Sequence, residues 1–263
     1  MKRVAVLGLC VLSAGLLAAE LPSRRPQGLL AAGYFFPSAA NTTNFKTRMV
    51  FTNPTGFTIS IVVALATDKG SGGTGTITLG PLESRVYENF LGEVFGATGG
   101  GGFSLAETTG SRPFYAVGEV WAENSGGRFG TPLVGMSADD RVVNLALQET
   151  GSSMSTGVRV NASNRANFGC ANMDGTAVAI RADFYVDASP DLDKPAATVT
   201  LNVPANGWAQ TSVPAGLSGE KIRILFWQLS TGGFHGSYCY GVNVNNQSND
   251  GTSLPALYAP DVR

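Results

Sequence analysis

Two stretches of this 263-residue sequence decide its fold because they match each other: Arg48–Gly56 (RMVFTNPTG) lies over Asn167–Gly175 (NFGCANMDG). Two later landmarks recur in the same order and at nearly constant separation, Thr76–Leu79 with Thr198–Leu201 and Gly130–Thr131 with Gly251–Thr252. An internal repeat constrains architecture before any single residue does. The sequence therefore predicts two copies of one small β-unit.

Both copies contain short runs of strand-forming residues that are bounded by Gly, Pro or Asn. In Ile59–Leu65, for example, larger apolar residues alternate with Ser60, Val62 and Ala64, as in a strand that is half to fully buried. Roughly seven such strands per copy are typical of an antiparallel sandwich. We expect an all-β fold of two tandem antiparallel immunoglobulin-like β-sandwich domains, spanning residues 34–136 and 137–263.

One short helix is expected in the first copy. Asn89 can cap it, an apolar stripe runs from Phe90 to Phe95, and Gly96 can end it. The corresponding region of the second copy, Val213–Gly219, is shorter and contains Pro214. We therefore expect no helix there.

The amino-terminal residues 1–19 have the pattern of a secretory signal peptide. Lys2 and Arg3 form a basic start, Val4–Leu17 is apolar, and Ala18–Ala19 supplies small residues for cleavage. The apolar run is shorter than the ~20 residues of a membrane span. We expect residues 20–33 to be a linker and the mature chain to be secreted, periplasmic or at the cell surface, with no membrane span.

Charge and composition exclude some classes of partner. The predicted signal holds 2 of the 18 basic residues, which leaves 16 against 19 acidic residues in the mature chain. This balance lacks the basic patch that binds nucleic acid. Charged residues make up 14% of the chain and Gly numbers 34, which is common in exported β-proteins with many tight turns.

Two cysteines follow the predicted signal, Cys170 and Cys239, and an even count in an exported chain favours a disulfide. The same-face neighbours of Cys239 in an alternating strand are Gly241 and Asn243, whereas Tyr238 leads an apolar opposite face. Either a bulge shifts the register near Cys239, or the bridge lies outside the main core.

No residue pattern indicates a reaction centre, so we expect a protein that is not an enzyme. His235 is the only histidine and lies in a glycine-rich turn without a partner for catalysis or zinc binding. Gly70–Gly75 matches a dinucleotide-binding pattern, but a strand follows it instead of a helix, so it reads as a hairpin tip. Asp139 and Asp140 are adjacent in a predicted strand and would point to opposite faces.

Three carboxylates in one loop are the candidates for a metal site: Asp187, Asp191 and Asp193. Calcium is bound by several oxygen ligands from such loops, although this spacing is not that of an EF-hand. A solvated hairpin loop is the simpler interpretation. We therefore expect no cofactor, with calcium as the alternative.

Four aromatic residues of the second copy could form a ligand platform: Trp208, Trp227, Tyr238 and Tyr240. Exposed and coplanar rings would bind sugars or peptide side chains, but aromatic residues also fill sandwich cores. Exposure of a contiguous patch would distinguish the two.

Three segments resemble uncharacterised exported bacterial proteins built from tandem immunoglobulin-like sandwiches. They are the stretch 45–55 (FKTRMVFTNPT), the stretch 76–83 (TITLGPLE) and the stretch 127–132 (GRFGTP). The resemblance covers most of Phe45 to Pro255 and implies fold and export only. In the second copy, Met173 and Asp174 replace Pro54 and Thr55.

Two hypotheses about function follow. The first is a non-catalytic exported β-sandwich protein with a surface structural, adhesion or assembly role. The alternative is a carbohydrate- or ligand-binding module that uses the aromatic residues of the second copy. The expected partners are other surface proteins or glycans, and not nucleic acid.

Overall fold

The fold is mostly β-strand, at 64% strand and 5% helix, which confirms the all-β prediction. The structure is a computed structural model and describes residues 33–124, 127–145, 149, 151–186, 194–230 and 236–259. Within these ranges no helix is long and apolar enough to cross a membrane. The predicted signal peptide lies outside the described residues, and the predicted domain boundaries stay predictions.

The strands before residue 134 are called the first strand group. They are β1 (Gly33–Asn41), β2 (Lys46–Thr52), β3 (Ile59–Thr67), β4 (Gly70–Leu79), β5 (Ser84–Tyr87), β6 (Gly99–Glu107), β7 (Tyr115–Asn124) and β8 (Gly127–Leu133).

These strands form one eight-stranded sheet in the order β4-β3-β6-β1-β2-β7-β8, with β5 paired to β2. The join between β1 and β2 is a single register pair, Asn41 with Lys46. Side chains from both sides of this join share one buried cluster, including Met49 and Phe51 from β2 and Ile61 and Phe103 from the other side. The sheet therefore folds over at the join into two facing layers.

The strands after residue 142 are called the second strand group. They are β9 (Val143–Asn144), β10 (Ser152–Val160), β11 (Asn164–Asn172), β12 (Val178–Tyr185), β13 (Ala197–Val203), β14 (Trp208–Ser212), β15 (Gly219–Gln228), β16 (Ser237–Asn245), β17 (Gly251–Pro255) and β18 (Leu257–Ala259).

The second strand group contains a six-stranded sheet, β13-β12-β15-β10-β18 with β9 paired to β15, and a four-stranded sheet, β14-β11-β16-β17. A second buried cluster lies between them, with Phe168 and Cys170 from one sheet and Phe184 and Phe226 from the other. The pairing order β4-β3-β6-β1 of the first group recurs as β13-β12-β15-β10, and β5-β2-β7-β8 recurs as β14-β11-β16-β17.

The predicted helix is present as α1 (Phe90–Phe95). Its buried side chains are Phe90 and Leu91, and Gly96 ends it in the left-handed conformation at φ 63°. At its start, the Glu93 carboxylate accepts a hydrogen bond from the backbone N–H of Asn89 at 2.7 Å. The Asn89 side chain makes no cap hydrogen bond, so the cap differs from the expected one.

A buried asparagine holds the same loop in each strand group. The Asn53 amide donates to the carbonyl oxygens of Phe57 and Gly80, at 2.6 and 2.7 Å. The Asn172 amide donates to those of Thr176 and Pro204, at 2.8 and 2.9 Å. Both side chains are in the stretches that match in sequence, so the match reflects shared loop chemistry.

The two strand groups pack against each other where side chains are small. A side chain at Gly100 would meet the ring of Trp208, and one at Gly102 would meet Ala171 at 2.6 Å. The Trp208 indole N–H donates to the Pro37 carbonyl at 3.1 Å. The glycines of β6 therefore allow the four-stranded sheet to approach the first group closely.

The Cys170–Cys239 disulfide is present, as predicted. The two cysteines are direct neighbours on β11 and β16 of one sheet, in a pairing without a register shift. Both are fully buried in the main cluster of the second group. Both expected explanations, a bulge near Cys239 and a bridge outside the main core, are therefore wrong. The face opposite Cys239 is apolar for another reason: Tyr238 stacks on Phe35 of the first group, with ring centroids 4.0 Å apart.

Candidate functional site

A cavity of about 290 Å³ lies between the two strand groups and is called the inter-group cavity. Its walls come from β1, the β7–β8 hairpin and the four-stranded sheet, through residues such as Ala40, Ala122, Leu133 and Val242. Most of its lining is apolar, and none of the described residues that line it carries a charge. A concave, mainly apolar site with a few polar groups is the usual form of a small-molecule site.

Two polar groups that line the inter-group cavity, Gln210 and Tyr240, sit on the four-stranded sheet. In register, Gln210 and Tyr240 flank Gly169. The Tyr240 hydroxyl reaches across this glycine and donates to the side-chain oxygen Oε1 of Gln210 at 2.7 Å. A side chain at position 169 would lie 2.8 Å from that hydroxyl. Burial raises the pKa of Tyr240, so the hydroxyl keeps its proton and remains a donor.

The four rings predicted as a platform do not share one exposed face. Trp208 and Tyr240 line the inter-group cavity. Tyr238 is buried at 1% exposure between the strand groups, and Trp227 is 3% exposed in a separate cluster with Tyr185. Tyr240 is also only 1% exposed and differs from Tyr238 in that it lines the cavity.

A second candidate surface is the outer face of β5, β2 and β7. Val86, Val50 and Val117 stand side by side in register there and are called the valine row. Val86 is 46% exposed and Val117 is 50% exposed. Exposed apolar side chains in a contiguous row are typical of interaction surfaces.

Ion pairs flank the valine row. Arg48 lies 2.9 Å from Glu88, and Arg128 lies 3.3 Å from Glu88 and 3.1 Å from Glu119. Arg128 also lies over the Trp121 ring at 4.0 Å. The pKa of Glu88 is lowered because Arg48 donates a hydrogen bond to its carboxylate. The surface beside the valine row thus carries both positive and negative charges.

The structure does not describe the candidate metal ligands or the histidine. Asp187, Asp191, Asp193 and His235 lie outside the described residues. Among the residues that the structure describes, no cluster of His, Cys, Asp and Glu could hold a metal ion.

Two sequence interpretations of local structure are wrong. Asp139 and Asp140 lie in a short 3-10 helix, Ala138–Asp140, and not in a strand. The Asp140 carboxylate accepts a hydrogen bond from the Ser137 backbone N–H at 2.9 Å, so it caps the turn. Gly70–Gly75 belongs to β4 and is not a hairpin tip, because the turn comes earlier, at Asp68 and Lys69.

Comparison of the sequence with protein-family models and with curated proteins finds no match. The two candidate surfaces therefore carry the functional argument. Sequence reasoning missed the valine row because Val50, Val86 and Val117 meet only through strand register. A weak signal exists in β2, where the alternation that buries Met49 and Phe51 places Val50 on the outer face.

Proposed function

We propose that this is a non-catalytic exported β-sandwich protein with a surface structural, adhesion or assembly role, built from two tandem immunoglobulin-like repeats. The shared pairing order and the repeated asparagine loop support the repeat. The single observation that carries the role is the exposed valine row.

The second strand group supports an interaction role for this face. The register positions of Val86, Val50 and Val117 correspond to those of Gln210, Gly169 and Tyr240. In the second group that face packs against the first group and walls the inter-group cavity. The corresponding face of the first group has no cover from the described residues, and Val86 and Val117 at the two ends of the row are about half exposed.

The partner that fits the valine row best is the same face of a second copy. Two such faces would stack apolar row on apolar row, as in a self-complementary two-fold interface. The flanking Arg48, Glu88, Glu119 and Arg128 carry both signs, so two copies can meet without a block of like charge. The mature chain has 16 basic and 19 acidic residues, so its formal net charge is only −3, which keeps long-range repulsion between copies small.

Sedimentation velocity of the purified protein over a range of concentrations tests this role. We expect a concentration-dependent shift from monomer to dimer. Val117→Lys places a charge in the valine row and should raise the dissociation constant of the dimer by about tenfold or more. Thr76→Lys, an exposed change on β4, is the matched control and should leave association unchanged. A wild-type protein that stays monomeric at all concentrations would contradict the proposal.

Ligand binding is the second candidate function, and the inter-group cavity favours it. Of the four predicted rings, Trp208 and Tyr240 line this cavity. This candidate does not depend on association, because the cavity and the valine row use different faces.

A further inference from the structure

The inter-group cavity is a gap in an otherwise tight contact. Beside it, Gly100 has no room for a side chain next to Trp208, and Gly102 has none next to Ala171. The cavity is partly open to solvent and keeps its volume beside this close packing, so it can receive a ligand.

The lining of the cavity determines which charge a ligand can carry there. The described lining residues are all uncharged, so a charged group inside would lose its water without gaining a partner. Arg165 and Glu123, which have opposite signs, line a neighbouring hollow of about 220 Å³. Lys46 lines another neighbouring hollow, where its ammonium donates to the side-chain oxygen of Asn41. The cavity therefore favours a neutral molecule over an anion or a cation.

The volume and the polar groups of the cavity limit the size and shape of the ligand. A cavity of about 150 Å³ in another protein holds one benzene ring, so 290 Å³ suits a body of about two fused rings. Because the Tyr240 hydroxyl already donates to Gln210, its lone pairs can accept and the Gln210 amide N–H groups can donate. One hydroxyl or carbonyl on the ligand can use these two groups.

We propose that the inter-group cavity binds a small neutral molecule with an apolar body of about two rings and one hydroxyl or carbonyl group. The apolar body lies against Ala122 and Leu133, and the polar group meets Tyr240 and Gln210. This inference rests on the ligand-binding candidate and is independent of the assembly role. Its test measures heat of binding and its failure leaves the sedimentation result untouched.

Isothermal titration calorimetry with 2-naphthol at neutral pH is the test, and 2-naphthoate is the charged probe of the same skeleton. We expect 2-naphthol to bind at least about tenfold more tightly than 2-naphthoate. Ala122→Phe fills the cavity from β7 and should weaken 2-naphthol binding by about tenfold or more. Ala106→Phe makes the same change at an exposed position on β6 and should leave binding unchanged.

Val242→Phe fills the cavity from the opposite wall on β16 and serves as a second variant if Ala122→Phe does not fold. Circular dichroism melting establishes which variants are folded. The inference is overturned by an absence of 2-naphthol binding at about 1 mM ligand, by equal binding of 2-naphthoate, or by folded Ala122→Phe and Val242→Phe variants that bind 2-naphthol like the wild type.

Discussion

The outer face of β3 and β6 in the first group carries small side chains, whereas the corresponding face of β12 and β15 in the second group carries large ones. On the paired strands β3 and β6 of the first group, six outward positions hold Val62, Ala64, Ala66, Gly102, Ser104 and Ala106. On β12 and β15 of the second group, the same register positions hold Arg181, Asp183, Tyr185, Arg223, Leu225 and Trp227. The four-stranded sheet packs closely on the first face at Gly102. The second face is instead covered by its own large side chains, which pack on one another.

The large side chains of the second face satisfy one another. Arg181 pairs with the buried Asp183 at 2.7 Å, and its guanidinium lies 5.5 Å from the Trp227 ring centroid. Val143 of β9 packs with Tyr185 and Trp227 in the same cluster. Repeat proteins need end units whose outer faces do not invite another unit. Side-chain size on a shared backbone thus decides where stacking continues and where it stops.

Of the changes considered, removal of the disulfide should lower the free energy of unfolding most. Cys170 and Cys239 occupy the register positions at which the first group has Phe51 and Ala116. The bridge spans 69 residues, so Cys170→Ala with Cys239→Ala should lower the free energy of unfolding by about 4 kcal/mol. Urea unfolding followed by circular dichroism measures the change.

The first group supplies the control for this prediction. Cys170→Phe with Cys239→Ala copies its Phe51 and Ala116 pair into the second group and should recover part of the lost stability by filling the core. A loss below about 1 kcal/mol in the double alanine variant would mean that the second group does not depend on its cross-link.

A larger side chain at Gly102 should disturb the contact between the groups. Its Cβ would lie 2.6 Å from that of Ala171 and 3.1 Å from the carbonyl oxygens of Phe36 and Pro37. Gly102→Val should therefore lower the free energy of unfolding by about 2–3 kcal/mol, although valine favours strands. Ala106→Val, on the same face but exposed, should change it by less than about 0.5 kcal/mol. Equal melting temperatures for both variants would refute a close-packed contact at Gly102.

The all-β class and the disulfide could be predicted because both follow from local patterns and cysteine count. The environment of Cys239 could not, since the apolar Tyr238 on its other face is buried by a contact between groups. The cavity was equally hidden, because its walls join Ala40, Ala122 and Val242 from distant strands. Alternation assigns a side chain to a face, but it does not say what covers that face.

The ion pair between Arg141 and Glu149 should make a smaller, pH-dependent contribution to the second face. Arg141 donates to the Glu149 carboxylate, with N–O distances of 2.9 and 2.5 Å, and the Asn144 backbone N–H donates to it at 2.7 Å. The hydrogen bond from Arg141 lowers the pKa of Glu149. The pair thus holds the β9 segment whose Val143 packs on Trp227.

Because this pKa is lower in the folded chain, the stabilisation is complete at neutral pH and is lost as the pH falls below about 4.5 through the folded value. Glu149→Gln keeps an acceptor for Asn144 but removes the charge. It should cost about 1 kcal/mol at pH 7, since both side chains are partly exposed, and the difference from wild type should vanish in acid. Urea unfolding of both proteins at pH 7 and at pH 3 measures this. A difference that does not decrease at all between pH 7 and pH 3 would show that Glu149 acts through packing and that its charge does not help to hold the β9 segment in place.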